Sequence, residues 1–182
     1  MKYIVILCRI LVGVLFIISG FIKANDTLGF SYKLDEYFLV FGTPFFSNIS
    51  VALAQFICVI EIVLGFATLA GWRMNIVAWL LLLMIIFFTF LTFYSAYFDV
   101  VKDCGCFGDA LHLKPWQSFG KDIALLILIL PIFLWRNKIQ PLFSVKFARM
   151  SVLVSLAASC LFTYCTYAHL PYIDFQIGRA HV

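Results

Sequence analysis

Charge is what this chain has least of. Only 12% of its 182 residues are Asp, Glu, Lys or Arg, against 64% hydrophobic, and the mean hydropathy is +1.06. A soluble domain has no way to hide that much apolar surface, so the composition excludes one and describes a multi-span membrane protein. The formal net charge of +4 is spread over the ends of apolar runs. With no basic stripe, there is no reason to invoke nucleic acid. A cleavage site is also missing. The first apolar run follows Met1-Lys2, is long for a signal sequence, is interrupted by Arg9 and precedes no small-x-small site, so it is expected to stay as a helix.

Five runs approach the roughly 20 apolar residues that a bilayer core requires: residues 4–22, 48–70, 74–98, 120–135 and 149–168. The fourth is the shortest and contains Pro131, yet its Ile/Leu character shows no polar face and favours a span. The expected fold is an all-α polytopic bundle: a four-helix membrane domain over residues 1–140, then a fifth span and the start of an outer segment over 141–175. With the N-terminus inside, the cytoplasmic ends carry Lys2, Arg73, Arg136, Lys138, Lys146 and Arg149 and no acid, while the opposite loops mix both signs. The bias toward basic residues on one side sets this orientation and places the loop of Cys104 and Cys106 in the periplasm of a bacterial inner membrane. The final residues, 177–182, match one reading frame of a sequencing-library adapter. They are expected to be a non-native tail in which His181 is no ligand, the natural chain continuing beyond Phe175.

Within the runs, Gly13, Ser19 and Gly20 let a neighbouring backbone approach the first helix. Phe30, Leu34, Tyr37, Phe38 and Phe41 recur at helical spacing and predict a short amphipathic helix on the outer surface. Glu61 is costly at membrane depth and must face the bundle with a partner. Counted from the inner helix ends, Arg9 lies about one turn from its level, so an Arg9–Glu61 ion pair fixing the first two helices is expected. A proton-handling role is the alternative. Trp72, Trp116 and Trp135, with Tyr94 and Tyr97, read as interfacial anchors. Cys160 and Cys165 lie about 140° apart on one helix and do not pair. With Cys8 and Cys58 they read as small apolar residues, although Cys165 is near enough to the outer end to act as a relay to the thiols discussed next.

Those thiols sit in Asp103-Cys104-Gly105-Cys106-Phe107-Gly108-Asp109, the one dense cluster of reactive and turn-forming residues. A disulfide needs Cα atoms about 4.4–6.8 Å apart. An extended i, i+2 pair sits near or beyond that limit, so closure requires the tight turn that Gly105 permits. Such a small ring is strained, and strained exposed disulfides are the labile ones. Cys104 and Cys106 therefore read first as a catalytic redox pair supported by Asp103, Gly105, Phe107, Gly108 and Asp109. Lys102 favours a thiolate there, while Asp103 and Asp109 oppose it. Two other readings stand beside it: a disulfide that merely staples a loop, and metal binding by Cys104, Cys106 and His112, for which a fourth ligand is not apparent.

Arg9, Gly13 and Ser19-Gly20-Phe21-Ile22-Lys23, then Glu61 with Gly65, then the Cys-Gly-Cys-Phe-Gly stretch together resemble the DoxX/MauE group of small bacterial membrane proteins, in the form found in Bacteroidetes. The resemblance covers nearly the whole chain to Phe175. It implies a four-helix core and a role in disulfide formation during methylamine utilisation or in quinone-coupled sulfur oxidation. It further implies a periplasmic thioredoxin-like partner protein or domain and, as cofactor class, a quinone; the chain itself carries no cofactor site in this reading. Vitamin K epoxide reductase-type enzymes also place reactive cysteines above four helices. The two-residue-spaced pair that they hold inside the bundle is absent here, which argues against direct quinone reduction.

Overall fold

The computed structural model describes residues 2–98, 114–139 and 144–168. These form six α-helices: α1 (Lys2–Asn25), α2 (Thr27–Val40), α3 (Ser50–Ala70), α4 (Met74–Phe98), α5 (Pro115–Leu134) and α6 (Val145–Ala168), with short 3-10 turns at Pro44–Ile49 and Arg136–Lys138. No strand occurs among the described residues. All of these helices except α2 are long and apolar enough to cross a membrane. Their outward faces are apolar as well, with Trp79, Leu83, Phe87, Leu130, Leu134 and Leu161 exposed, as lipid contact requires.

The bundle is built on α1 and α3, which run antiparallel and touch along their length. Small residues make this approach possible. A Cβ on Gly65 would lie 2.8 Å from the Gly13 carbonyl oxygen, and one on Gly20 would lie 2.7 Å from Ile62 Cγ1. Close backbone approach of this kind is how helices associate where hydrophobic exclusion gives nothing. Gly65→Ala is therefore expected to wedge α1 from α3 and destabilise the protein by about 1–3 kcal/mol, read as a lower unfolding temperature in detergent. Gly120→Ala, whose Cβ meets nothing within 4 Å, is the matched control and should leave that temperature unchanged or slightly raised.

On one side, α6 packs on α3 through Ser155, Ser159, Thr163 and Thr166, all buried. Thr163 returns its hydroxyl to the Ser159 carbonyl at 3.0 Å, and Thr166 reaches across to the Ala24 carbonyl at 2.8 Å, an acceptor in the last turn of α1 that the Thr27 hydroxyl also reaches at 3.1 Å. On the other side, α4 and α5 pair and close over α1 and α3. Val12, Leu81, Ile129 and Ile132 are fully buried where these helices meet.

The expected amphipathic helix is α2. Its N-cap is Asp26, whose Oδ1 accepts from Gly29 N at 2.9 Å, and it buries Phe30 and Leu34 against α3 and Tyr37 beside Leu91 of α4. Phe38 is half-buried and Phe41 marks the C-terminal cap. The fourth span begins five residues earlier than its apolar run suggested, at Pro115 rather than at 120. Pro115 takes a first-turn position, where its missing N–H costs nothing. Pro131 is accommodated inside the helix. The opposite end of the bundle from α2 is closed by Gly71 in the left-handed conformation (φ 75°), and Arg136 lies 4.3 Å over the Phe133 ring. Arg73, Arg136, Lys138, Lys146 and Arg149 all gather at that end.

Candidate functional site

Two features converge on the α2 end of the bundle. The first is the pair of helix ends, of α4 and α5, that flank residues 99–113 in the sequence. Asp103, Cys104, Gly105, Cys106, Phe107, Gly108 and Asp109 lie outside the described residues, as does His112. What is described is the pair of helix ends that the connection joins. Tyr94 sits 4.9 Å from Phe41 and 4.5 Å from Phe98. Phe93 lies 5.5 Å from Phe119, which in turn meets Trp116 at 6.1 Å. The last turn of α4 and the first turns of α5 are thus held together by aromatic contacts, with Trp116 and Tyr97 exposed at the rim, the positions that interfacial aromatics favour.

The second feature is a buried group of charges beneath that rim. Lys23 Nζ donates to Glu61 Oε2 at 2.6 Å, with the two side chains 2% and 5% exposed. The same ammonium lies 4.3 Å over the Phe88 ring and 5.7 Å from the centre of Phe30, so aromatic faces on α4 and α2 share its charge. Across from it on α5, Asp122 is 1% exposed. Its Oδ1 lies 3.1 Å from Lys121 Nζ, and its Oδ2 lies 3.0 Å from the Thr92 hydroxyl of α4. Ser19, Lys23, Glu61, Lys121 and Asp122 line one cavity of about 30 Å³, walled by Ile85, Phe88 and Leu125.

This arrangement corrects the expected Arg9–Glu61 pair. Glu61 does face the bundle and does find a cation, but the cation is Lys23. The register set by the glycines explains why. With Gly13 against Gly65 and Gly20 against Ile62, Arg9 comes level with the last turn of α3, about two turns from Glu61. There its guanidinium donates to the carbonyls of Thr68 at 2.6 Å and Leu69 at 2.7 Å. Those are carbonyls that a helix C-terminus leaves without partners and where a cation opposes the dipole. Arg9 is therefore a cap on α3. Counting from helix ends failed because it assumed that both helices start at the same depth.

Lys23 lies just past the apolar run of residues 4–22, which therefore does not include it as a partner for Glu61, whereas α1 continues to Asn25. Asp122 is obscured in the sequence by the Ile/Leu character of the run that follows it, which shows no polar face. The available signal was a Lys-Asp pair inside a segment that must span, where ionisable groups mark function by default. The remaining cysteines sit as small apolar residues would: Cys8 and Cys58 are buried, Cys160 is exposed on α6, and Cys165 is half-buried one turn from the end of α6. The expected meeting of Cys165 with the Cys104/Cys106 connection lies outside the described residues. Among the described residues, no group of three His, Cys, Asp or Glu side chains is placed to hold a metal ion.

A family model described as methylamine utilisation protein MauE matches residues 1–136, which takes in both features. Protein TlpB of Flavobacterium psychrophilum is 28% identical over 135 residues, covering 71% of this chain and 36% of that protein. The matched region is therefore little more than a third of the curated relative's length. No solved structure matches.

Proposed function

The chain belongs to the MauE family of methylamine utilisation proteins, and we propose that it is a membrane thiol–disulfide redox protein whose exchanging pair is Cys104 and Cys106. The observation that carries this reading is the Cys-Gly-Cys spacing itself, in the connection between two helix ends at the aromatic rim of the α2 end. In exchange, one thiolate attacks a partner's disulfide and the partner's second sulfur leaves as a thiolate. The other cysteine then attacks the mixed disulfide. Two electrons pass to the partner, its dithiol is released, and Cys104 and Cys106 are left joined. The reverse sequence reduces their bond. The partner class is a periplasmic thioredoxin-like protein or domain, with Asp103, Gly105, Phe107, Gly108 and Asp109 shaping the turn. A quinone is the acceptor class that the family resemblance implies when electrons leave Cys104 and Cys106; the pair itself is not proposed to reduce it directly.

The test is the mass and redox state of the peptide spanning Cys104 and Cys106, from membranes quenched with a thiol alkylator. The redox reading expects a mixture of disulfide and dithiol that shifts with the ambient thiol potential. A peptide oxidised under all conditions would make the bond a staple, and a metal adduct would replace the proposal by ion binding.

The same proposal includes orientation. Arg73, Arg136, Lys138, Lys146 and Arg149 cluster at the end away from α2, and this basic bias supports reading that end as cytoplasmic and the thiols as lying on the periplasmic face of the inner membrane. A membrane-impermeant maleimide added to intact, reduced cells should label Cys104 and Cys106. Labelling only after the inner face is opened inverts the assignment.

A further inference from the structure

We propose that the cavity between α1, α3, α4 and α5 is a hydrated proton-exchange site, in which water joins Glu61 and Asp122 into one ionisable unit that takes up and releases a proton toward the α2 end. This inference is independent of the redox reading of Cys104 and Cys106.

Volume and lining come first. About 30 Å³ exceeds the roughly 10–15 Å³ that one water requires, and a buried water also needs two to four polar partners. The lining supplies them: the Lys23 ammonium and the Ser19 hydroxyl from α1, the Glu61 carboxylate from α3, and Lys121 and Asp122 from α5. Among the described residues, the charged groups facing the space are thus Lys23, Glu61, Lys121 and Asp122. α4 contributes Ile85 and Phe88 to the lining, and neither α2 nor α6 adds a charged side chain to it. A cavity walled only by leucine and phenylalanine would stay dry. This one carries two acids and two bases.

Thr92 supplies the second argument. Its Oγ1 lies 3.0 Å from Asp122 Oδ2 and also 3.0 Å from the Phe88 carbonyl oxygen, yet a hydroxyl has one proton to give. With Asp122 ionised, Thr92 donates to the carboxylate. With Asp122 protonated, Thr92 turns its proton to the Phe88 carbonyl and accepts from the acid. Asp122 is therefore partnered in both charge states without any backbone movement. Phe88 lies one turn before Thr92 on α4, and its ring sits beneath the Lys23 ammonium, so a single helix face spans both carboxylate pairs. The exit is Lys121, whose side chain is 24% exposed while that of Asp122 is 2% exposed. In the step itself, a hydronium at this exit gives its proton to a carboxylate oxygen and becomes water; release is the reverse, and no electron moves.

The test is pH-difference infrared spectroscopy of the whole protein in phosphatidylcholine vesicles, following the carbonyl stretch of protonated carboxyl groups. The proposal expects one such band lost in Asp122→Asn and another lost in Glu61→Gln, both shifting in D₂O. The proposed coupling requires the midpoint of the surviving band to move in each single variant. Leu125→Phe fills the cavity and keeps all four charges, and it should slow the D₂O shift. Three results would overturn the proposal: no titrating carboxyl band, bands that do not respond to D₂O, or midpoints unmoved by loss of the other acid. The D₂O measurement on the unaltered protein decides the matter even if Glu61→Gln does not fold.

Discussion

Lys23→Met is expected to destabilise the folded protein by about 3–5 kcal/mol, the usual cost of stranding one charge of a buried pair. The size follows from the surroundings of Glu61. Its carboxylate is 2.6 Å from the ammonium and almost fully enclosed, and the second lysine of the cavity, Lys121, is engaged with Asp122. Removing Lys23 leaves an ionised acid facing Phe88 and Ile85 in a region without bulk water. Lys33→Met breaks a different pair, 3.8 Å long with side chains 23% and 49% exposed. Exposed pairs contribute about 0–1 kcal/mol, so that variant should unfold nearly as the parent does. The double variant Lys23→Met with Glu61→Leu separates stranded charge from lost packing. Replacing both ions by apolar groups of similar volume is often neutral, and it should recover most of the loss in unfolding temperature and folded yield. A double variant no more stable than Lys23→Met alone would mean that shape, not charge, sets the stability here.

The parts of the fold that could be read from the sequence are those where one physical requirement dominates. Five spans follow from the length of apolar runs, because a bilayer core fixes how many residues a helix needs. The buried stripe of α2 follows from Phe30, Leu34 and Tyr37, because a helix at a surface must turn one face inward. Gly13 and Gly20 marked the face of α1 that α3 approaches. What escaped was register. Whether Glu61 meets Arg9 or Lys23 depends on how far α3 slides along α1, and that is set by the meeting of Gly65 with Gly13 and Ile17, a contact between residues about fifty positions apart. The cavity escaped for the same reason. Ser19, Glu61 and Asp122 come from three helices; Ser19 and Glu61 are single polar residues in apolar runs, and Asp122 with Lys121 is a polar pair at the head of another. Local pattern identifies such residues as expensive and does not say which others share the cost.

Cys106→Ser bears most directly on the claim that this chain exchanges disulfides. Such exchange requires a mixed disulfide between Cys104 and a partner that is short-lived in the unaltered protein, because the neighbouring thiol resolves it. With serine at 106 the attack still occurs, but the resolving nucleophile is gone, and the covalent complex should accumulate from undetectable to a major fraction of the protein. Attack rate follows the thiolate fraction and access of the leading sulfur, so comparing Cys106→Ser with Cys104→Ser shows which cysteine leads. The measurement is a non-reducing gel of alkylated membranes with mass identification of the shifted band. The account predicts a dithiothreitol-sensitive adduct with a thioredoxin-fold periplasmic protein in one of the two variants, absent when both cysteines are replaced. Both single variants folded in the membrane, with no adduct in either, would contradict it.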